Sequence, residues 1–481
     1  MNLVMLMSDE IINKIKINRV ILITVDSLRA DYDMLDNVRD VLFENVGSLL
    51  TFKVVYSNGP GTSQSFPSIM SSTPFLVHGD LRLKDGIPTL AEVLSQNGFY
   101  TIGFHSNPFL SRRFGWDRGF MEFYDFLGRY RSPAGLVVSS SGWKRFLINV
   151  LGKLLEGSSK KLWSIVNRVY YRIKGFNLPY IEARELNNYV LEWIRKNNNK
   201  LKRVFLWIHY MDVHFPFAPP DEYLSGTGFS NRREAFFYNY RLNFENPNPE
   251  IVSRLKKLYE ASVRYVADNI AHLLEELSRY SLLDDSLVII TSDHGEAFLE
   301  HGKFGHAYDI LYNEVLRVPL IIGGTFINSK RQIYDRPIQL MDLAPTIIDL
   351  IRAKKPIVFK GKSLARVLYE GSETNLYPIF SESAIPDLIN LKYDTSRYIV
   401  SVVLGRWKLI LDLIHSSVPM FELYDLAKDP NEKHNLFEEH KDVANDLIRL
   451  INLHLDNINK LKKFVENVLS LRLRLRKSLC N

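Results

Sequence analysis

Between Thr291 and His306 the chain reads T-S-D-H-G-E-A-F-L-E-H-G-K-F-G-H, which crowds acids and imidazoles into one short stretch. Asp293 and His294 come one residue, Ser292, after Ser286 to Thr291 (SLVIIT), a β-branched run that predicts a buried strand. A carboxylate beside an imidazole at a strand end is half of a divalent-metal site. Asp26 closes a second such run, residues 19 to 26 (RVILITVD), and a sheet that joins the two strand ends would complete a three-donor set. Without Asp26, an Asp-His pair is more often an ordinary surface or hydrogen-bonded pair; with Asp26 the two readings stand level.

A second constellation lies in Gly59-Pro60-Gly61-Thr62-Ser63-Gln64-Ser65, where hydroxyls precede a helix that Ser65 or Phe66 is expected to cap, with Pro67 in its first turn. Free N–H groups and the positive dipole end suit an anionic phosphate or sulfate there. A hydroxyl at that point, next to a cation, could attack such a group. The alternative is that Thr62 or Ser65 merely caps the helix, and the loop by itself favours it. Residues 209 to 216 (HYMDVHFP) add two histidines: His209 continues a buried strand as a core residue, whereas His214 falls beyond its end, where it can face a ligand.

These residues need a frame. Runs at 19–26, 100–104, 203–209, 286–291 and 318–322 predict strands, and 88–97, 251–280 and 341–351 predict helices. Strands alternating with helices give an α/β fold, a doubly wound, mostly parallel sheet whose ligand site lies beyond the carboxyl ends of its strands. The expected organisation is a catalytic domain over 1–380, a small C-terminal α+β subdomain over 381–440 and a tail helix over 441–481. Two segments depart from the alternation. Residues 141–174, inside an insertion of about 128–180, interleave eight bases with aromatic residues, which fits a lid, a patch for an anionic surface or a plain solvated helical face. The tail repeats Val443, Leu447, Ile451, Leu455, Ile458, Leu461, Val465 and Val468 at helical spacing and ends on a basic cluster. It is expected to pack on the body or on a second copy, with peripheral membrane contact left open.

Composition excludes several classes. Lys+Arg 61 against Asp+Glu 54 leaves +7 over 481 residues, too mild to imply nucleic-acid binding. The one cysteine, Cys480, excludes a disulfide framework, a cysteine-ligated zinc and a cysteine nucleophile within the fold. Met1 to Met7 is apolar but has no basic flank, so the expected compartment is the cytoplasm.

Taken together the motifs resemble the sulfatases of the alkaline-phosphatase superfamily. Val25-Asp26-Ser27-Leu28-Arg29-Ala30-Asp31 is similar to the family's first metal-ligand strand, and Trp116-Asp117-Arg118-Gly119-Phe120 to its aromatic turn. Asp212-Val213-His214-Phe215-Pro216 resembles the substrate-histidine loop. Thr291 to Glu296, His301-Gly302 and Arg317-Val318-Pro319-Leu320 resemble the second metal segment, and Glu422-Leu423-Tyr424-Asp425-Leu426 the small C-terminal subdomain. The resemblance implies Asp26, Asp293 and His294 as metal ligands and Thr62, ten residues before Ser72, as nucleophile and further ligand. It implies His214 and His306 as leaving-group contacts and Ser63, His301 and Lys303 as substrate contacts.

Three departures redirect the chemistry. The family's nucleophile is a cysteine or serine converted to formylglycine, but position 62 is threonine; Phe66 replaces the motif's arginine; Ser27 replaces the second acid of an Asp-Asp pair. A formylglycine hydrate releases sulfate by collapsing to an aldehyde, an exit that threonine lacks, whereas phosphothreonine is a workable intermediate. The expectation is therefore a metal-dependent hydrolase or transferase favouring phosphate esters, as in the threonine-using phosphodiesterases and phosphoglycerol transferases of the superfamily. The alternatives are a sulfuric ester hydrolase acting on sulfated glycans and a non-catalytic binder of anionic glycans or lipid head groups. One divalent ion is expected, Mn²⁺ or Zn²⁺ before Ca²⁺ or Mg²⁺ given the imidazole ligand, because Asp212 has no histidine four residues on to build a second site. The substrate is expected to be a small-molecule, glycan-linked or lipid-linked ester.

Overall fold

The structure, a computed structural model, describes residues 16–127 and 177–480 apart from 33, 329–330, 388–389 and 417. Met1 to Met7 and the basic segment 141–174 lie outside the described residues. The central sheet contains, in chain order, β1 (Arg19–Val25), β2 (Leu49–Phe52), β3 (Tyr100–Phe104), β4 (Glu122–Tyr124), β5 (Val204–Tyr210), β6 (Ser286–Ser292), β7 (Leu320–Gly323) and β8 (Arg331–Tyr334). Their order across the sheet is β8-β2-β7-β6-β1-β5-β3-β4. All neighbours pair in parallel except β7, which is antiparallel to both β6 and β2. This is the mostly parallel α/β sheet expected.

Strands buried on both faces must be apolar throughout rather than alternating, and β5 and β6 are buried at every position. Successive side chains point to opposite faces. Val20, Leu22, Leu287 and Ile289 accordingly join one core, and Ile21, Ile23, Val25, Val288 and Ile290 the other. The long helix α3 (Pro249–Arg279) packs on the second core, together with α2 (Ala183–Lys196). On the first lie α1 (Thr62–Ser71) and α4 (Leu343–Leu350).

A small antiparallel sheet follows, with strands Ile379–Asp387, Lys392–Leu404, Trp407–Asp412 and Met420–Asp425 in that order. The tail forms helix α5 (Lys441–Cys480). Its apolar stripe does not await a second copy: Ala444, Leu447, Ile451, Ile458, Leu461 and Val465 are buried in the same core as α1 and α4. No helix among the described residues is long and apolar enough to cross a membrane.

Candidate active site

Register places the site. Val25 pairs with Ser292 on one side and Tyr210 on the other, so Asp26 and Asp293 leave adjacent strands at the same level. Phe104 of β3 pairs with Ile208, which brings His105 to Asn107 out at the same rim. Three strands thus deliver acids and amides to one edge, where a doubly wound sheet holds its ligands.

Asp26, Asp293 and His294 are completely buried, and one donor atom from each lies within 4.8 Å of the others. Ser27 Oγ donates to Asp26 Oδ1 at 2.9 Å, and the Ser27 N–H donates to Asp293 Oδ1 at 3.3 Å. Ser27 therefore supports the two acids with donors at the place where the family has a further carboxylate. His209, expected in the core, is buried there and more: its Nε2 lies 3.3 Å from Asp26 Oδ2 and its Nδ1 2.9 Å from Thr24 Oγ1. Burial opposes ionisation of Asp26, but its neighbours His214, His209 (which hydrogen-bonds to it) and His294 outweigh it and hold this carboxyl well below its usual range. Asp293 moves the other way, pushed up by burial and by the charge of Asp26. Burial also lowers His294, keeping its imidazole neutral as a metal ligand must be.

The cluster fits a divalent cation. Asp293 Oδ2 is buried without a hydrogen-bond partner among the described residues, an expensive state for a carboxylate oxygen unless a cation meets it. His294 Nδ1 is 2.9 Å from the Gly295 carbonyl, which fixes that nitrogen as donor and turns the Nε2 lone pair toward Asp26, 3.5 Å away, and Asp293, 3.6 Å away.

Thr62 completes the group. Its Oγ1 donates to Asp26 Oδ2 at 3.2 Å and lies 3.5 Å from His294 Nε2. The capping expectation is overturned, as is the start expected at Ser65 or Phe66: α1 begins at Thr62, its N-cap is Gly61 in an extended conformation, and no side chain caps it. The reason is close packing. A Cβ on Gly59 would stand 2.4 Å from Gln64 Cβ, so glycine there lets the chain fold tightly onto the first turn, while Gln64 and Ser65 N–H both reach the Gly61 carbonyl. Pro67 is therefore an interior residue of α1, and the helix N-terminus lies at Thr62 itself. Phe66, at the arginine position, is buried edge-on against His209, Trp116 and Trp207.

Two histidines stand over the cluster. The His306 ring centroid is 4.3 Å from that of His294 and 5.0 Å from that of His214. His214 Nδ1 lies 2.6 Å from the Phe215 carbonyl, and His306 Nδ1 3.1 Å from Glu296 Oε2, so each ring has its second nitrogen, Nε2, available.

The remaining expected contacts are engaged elsewhere. His301 Nδ1 is 2.7 Å from Glu314 and its Nε2 3.0 Å from the Glu432 carbonyl, with Tyr312 stacked on its face at 3.7 Å. No ring nitrogen remains for an ester, and His301 instead ties this segment to the C-terminal subdomain. Lys303 is paired with Asp309 at 2.6 Å. The Ser63 hydroxyl is taken by Gln64 and by Tyr393 of the small sheet. Asp212 turns into the protein, where Oδ1 accepts from the Ala183 N–H at 3.2 Å and Oδ2 has no described partner, and burial raises it to about 7.

Sequence reasoning missed Asn107, whose side-chain amide donates to Asp26 Oδ2 at 2.8 Å and to Thr62 Oγ1 at 3.2 Å. The signal was present: His105-Ser106-Asn107 follows an apolar strand just as Asp26 and Asp293 do. Glu296, buried behind His306, was likewise overlooked.

Comparison with known proteins gives the family and the fold. The family described as Sulfatase matches residues 18–353, and that described as N-sulphoglucosamine sulphohydrolase, C-terminal, matches 299–460. An arylsulfatase of Clostridium perfringens is 22% identical over 477 residues, covering 90% of this chain and 93% of that protein. The fold is shared with a structure solved in complex with its substrate D-glucosamine-2-N,6-O-disulfate (TM-score 0.66, 16% identity, 93% of this chain and 98% of that one). It is shared also with the phosphonate monoester hydrolase of Agrobacterium radiobacter (TM-score 0.63, 17% identity, 95% and 96%).

Proposed function

The chain belongs to the sulfatase family, and from that premise we propose that it is a metal-dependent ester hydrolase that uses Thr62 as nucleophile and prefers phosphate-type esters, monoester or diester, to sulfate esters. The observation that carries this reading is the Thr62 hydroxyl, at the first position of α1, 3.2 Å from Asp26 and 3.5 Å from His294. By the resemblance of the sequence motifs it stands at the family's nucleophile position, with a residue that no conversion to formylglycine can reach.

Asp26, Asp293 and His294 would hold the ion, Mn²⁺ or Zn²⁺ by the chemistry of an imidazole and two carboxylates. When bound, such an ion supplies Lewis acidity, favouring ionisation of a neighbouring hydroxyl and offsetting charge on the ester. Asn107 orients Thr62 by donating to its Oγ1, so the oxygen lone pair that attacks is presented outward. Thr62 Oγ1 gives up its proton to solvent water and bonds to phosphorus in line with the leaving oxygen, and the free N–H groups opening α1 receive the developing charge. His214 or His306, through Nε2, protonates the leaving oxygen as its bond to phosphorus breaks. Water, with its proton taken by the same histidine, then cleaves the phosphothreonine and restores the hydroxyl.

The second reading, sulfate ester hydrolysis on a glycan, is favoured by the similarity to an arylsulfatase and to a structure solved with D-glucosamine-2-N,6-O-disulfate. Paired aryl phosphate and aryl sulfate esters, assayed on metal-analysed wild-type protein and Thr62→Ala, separate the two. The proposal expects phosphate turnover that is lost with Thr62; faster sulfate turnover, or phosphate turnover that survives Thr62→Ala, contradicts it.

A further inference from the structure

Beside the two histidines stand three phenylalanines that the chemistry above leaves unused. Phe215 follows His214 in sequence, and Phe304 precedes His306 by two residues. Their rings close a triangle with Phe244: the centroids lie 5.3 Å (Phe215–Phe244), 5.7 Å (Phe244–Phe304) and 6.2 Å (Phe215–Phe304) apart, with interplanar angles of 76°, 68° and 81°. Phe304 is buried and Phe215 half-buried, but Phe244 is 56% exposed. It sits among Arg241, Asn243, Glu245, Asn246 and Asn248 in the polar stretch before α3.

A lone exposed apolar side chain needs no explanation. Phe244 is not such a case, because two edge-to-face contacts fix its ring against the residues that carry the leaving-group histidines. The polar neighbours in sequence show that the stretch is built for water, so one rigid aromatic face kept at its surface is a surface for a ligand. A ring offers no hydrogen bond and no charge, and what it recognises is another flat apolar face.

We propose that Phe244, braced by Phe215 and Phe304, walls a leaving-group subsite, and that the natural leaving group presents a flat ring, aryl or the C–H face of a sugar, to it. The inference rests on reading His214 and His306 as the groups that contact the leaving oxygen, since those two histidines place the phenylalanines on the leaving side.

The test compares methyl phosphodiesters whose second alcohol is benzyl, glucos-6-yl or ethyl, three leaving groups of similar acidity, on wild-type protein, Phe244→Ala and Phe244→Tyr. For benzyl, for the sugar or for both, Phe244→Ala should lower kcat/KM about tenfold more than for ethyl, mainly through KM, and Phe244→Tyr should restore it. Loss confined to benzyl assigns an aryl group and loss confined to the sugar a glycan; an equal effect on all three esters, or none, overturns the inference. If the wild type hydrolyses none of the diesters, the diester form of the phosphoester reading fails instead. The subsite is then decided by calorimetry with benzylphosphonate and ethylphosphonate on Mn²⁺-loaded protein. Tighter benzylphosphonate binding that Phe244→Ala abolishes upholds it, and equal affinities overturn it.

Discussion

Thr62 Oγ1 lies 3.2 Å from Asp26 Oδ2, joining the first residue of α1 to the residue that follows β1. The hydroxyl is not a helix cap, the alternative that the loop sequence left open: α1 begins at Thr62 itself and no side chain caps it. Removing the hydroxyl should therefore cost activity without costing the fold. Thr62→Ala is expected to lower kcat for an aryl phosphodiester by about a thousandfold or more, with the melting temperature little changed, and Thr62→Ser to retain activity within about tenfold. Steady-state kinetics beside thermal melts check both.

Asn107 holds both members of that pair through one amide nitrogen. Groups that orient a ligand are commonly worth ten- to a hundredfold in activity or metal affinity. Asn107→Ala should accordingly lower kcat/KM by about 10- to 100-fold and weaken Mn²⁺ binding measured by calorimetry. Asn107→Asp, which places a third carboxylate beside Asp26, should be worse on kcat while binding the ion no less tightly. If both variants behave like wild type, Asn107 has no part in the site.

Asp212 offers a pH prediction with a definite sign. Its folded-state pKa is raised to about 7 by burial, above the 3.8 of an exposed aspartate, so the fold binds its proton more tightly than the unfolded chain does. The stability this contributes is fully present below the unfolded value and is lost as pH rises through about 7. Asp212→Asn keeps the oxygen that accepts from Ala183 and removes the titration. Denaturant melts should show the variant gaining on wild type from about pH 4 to pH 7 and holding a constant lead above. A pH-independent difference would show that Asp212 does not titrate in that window.

Much of this architecture was legible because its causes are local. Continuous apolar runs gave β1, β5 and β6, and a charged or polar residue at the end of each run marked the rim. The threonine in place of a modifiable residue could also be read from types and spacing alone. What was not legible depends on packing across the sheet. The start of α1 at Thr62 needs the contact of Gly59 with Gln64, which no capping rule contains. Asn107 comes to Asp26 only because β3 sits next to β5, a strand order that sequence does not print. The resemblance implied His301 as a substrate contact, but its ring nitrogens are engaged by Glu314 and, from far along the chain, by the Glu432 carbonyl.

The tail helix gives a stability test independent of the site. Ile451 is fully buried in the core shared with α1 and α4. Truncating an isoleucine to alanine in such a place usually costs about 2–5 kcal/mol. Ile451→Ala should lower unfolding free energy by that amount in urea melts, whereas Leu453→Ala, at a position 55% exposed on the same helix, should change it little. Equal, small effects would mean that α5 does not dock on the body in solution.

The central claim is a covalent one, and an acid quench reads it directly. Metal-loaded protein is mixed with an aryl phosphodiester, stopped within a turnover, digested and analysed by mass spectrometry. The account predicts a phosphoryl-ester adduct on the peptide holding Gly61 to Met70, localised by fragmentation to Thr62 and absent from Thr62→Ala. Turnover with the adduct on Ser63, or Thr62→Ala turning over at the wild-type rate with no adduct anywhere, would contradict it.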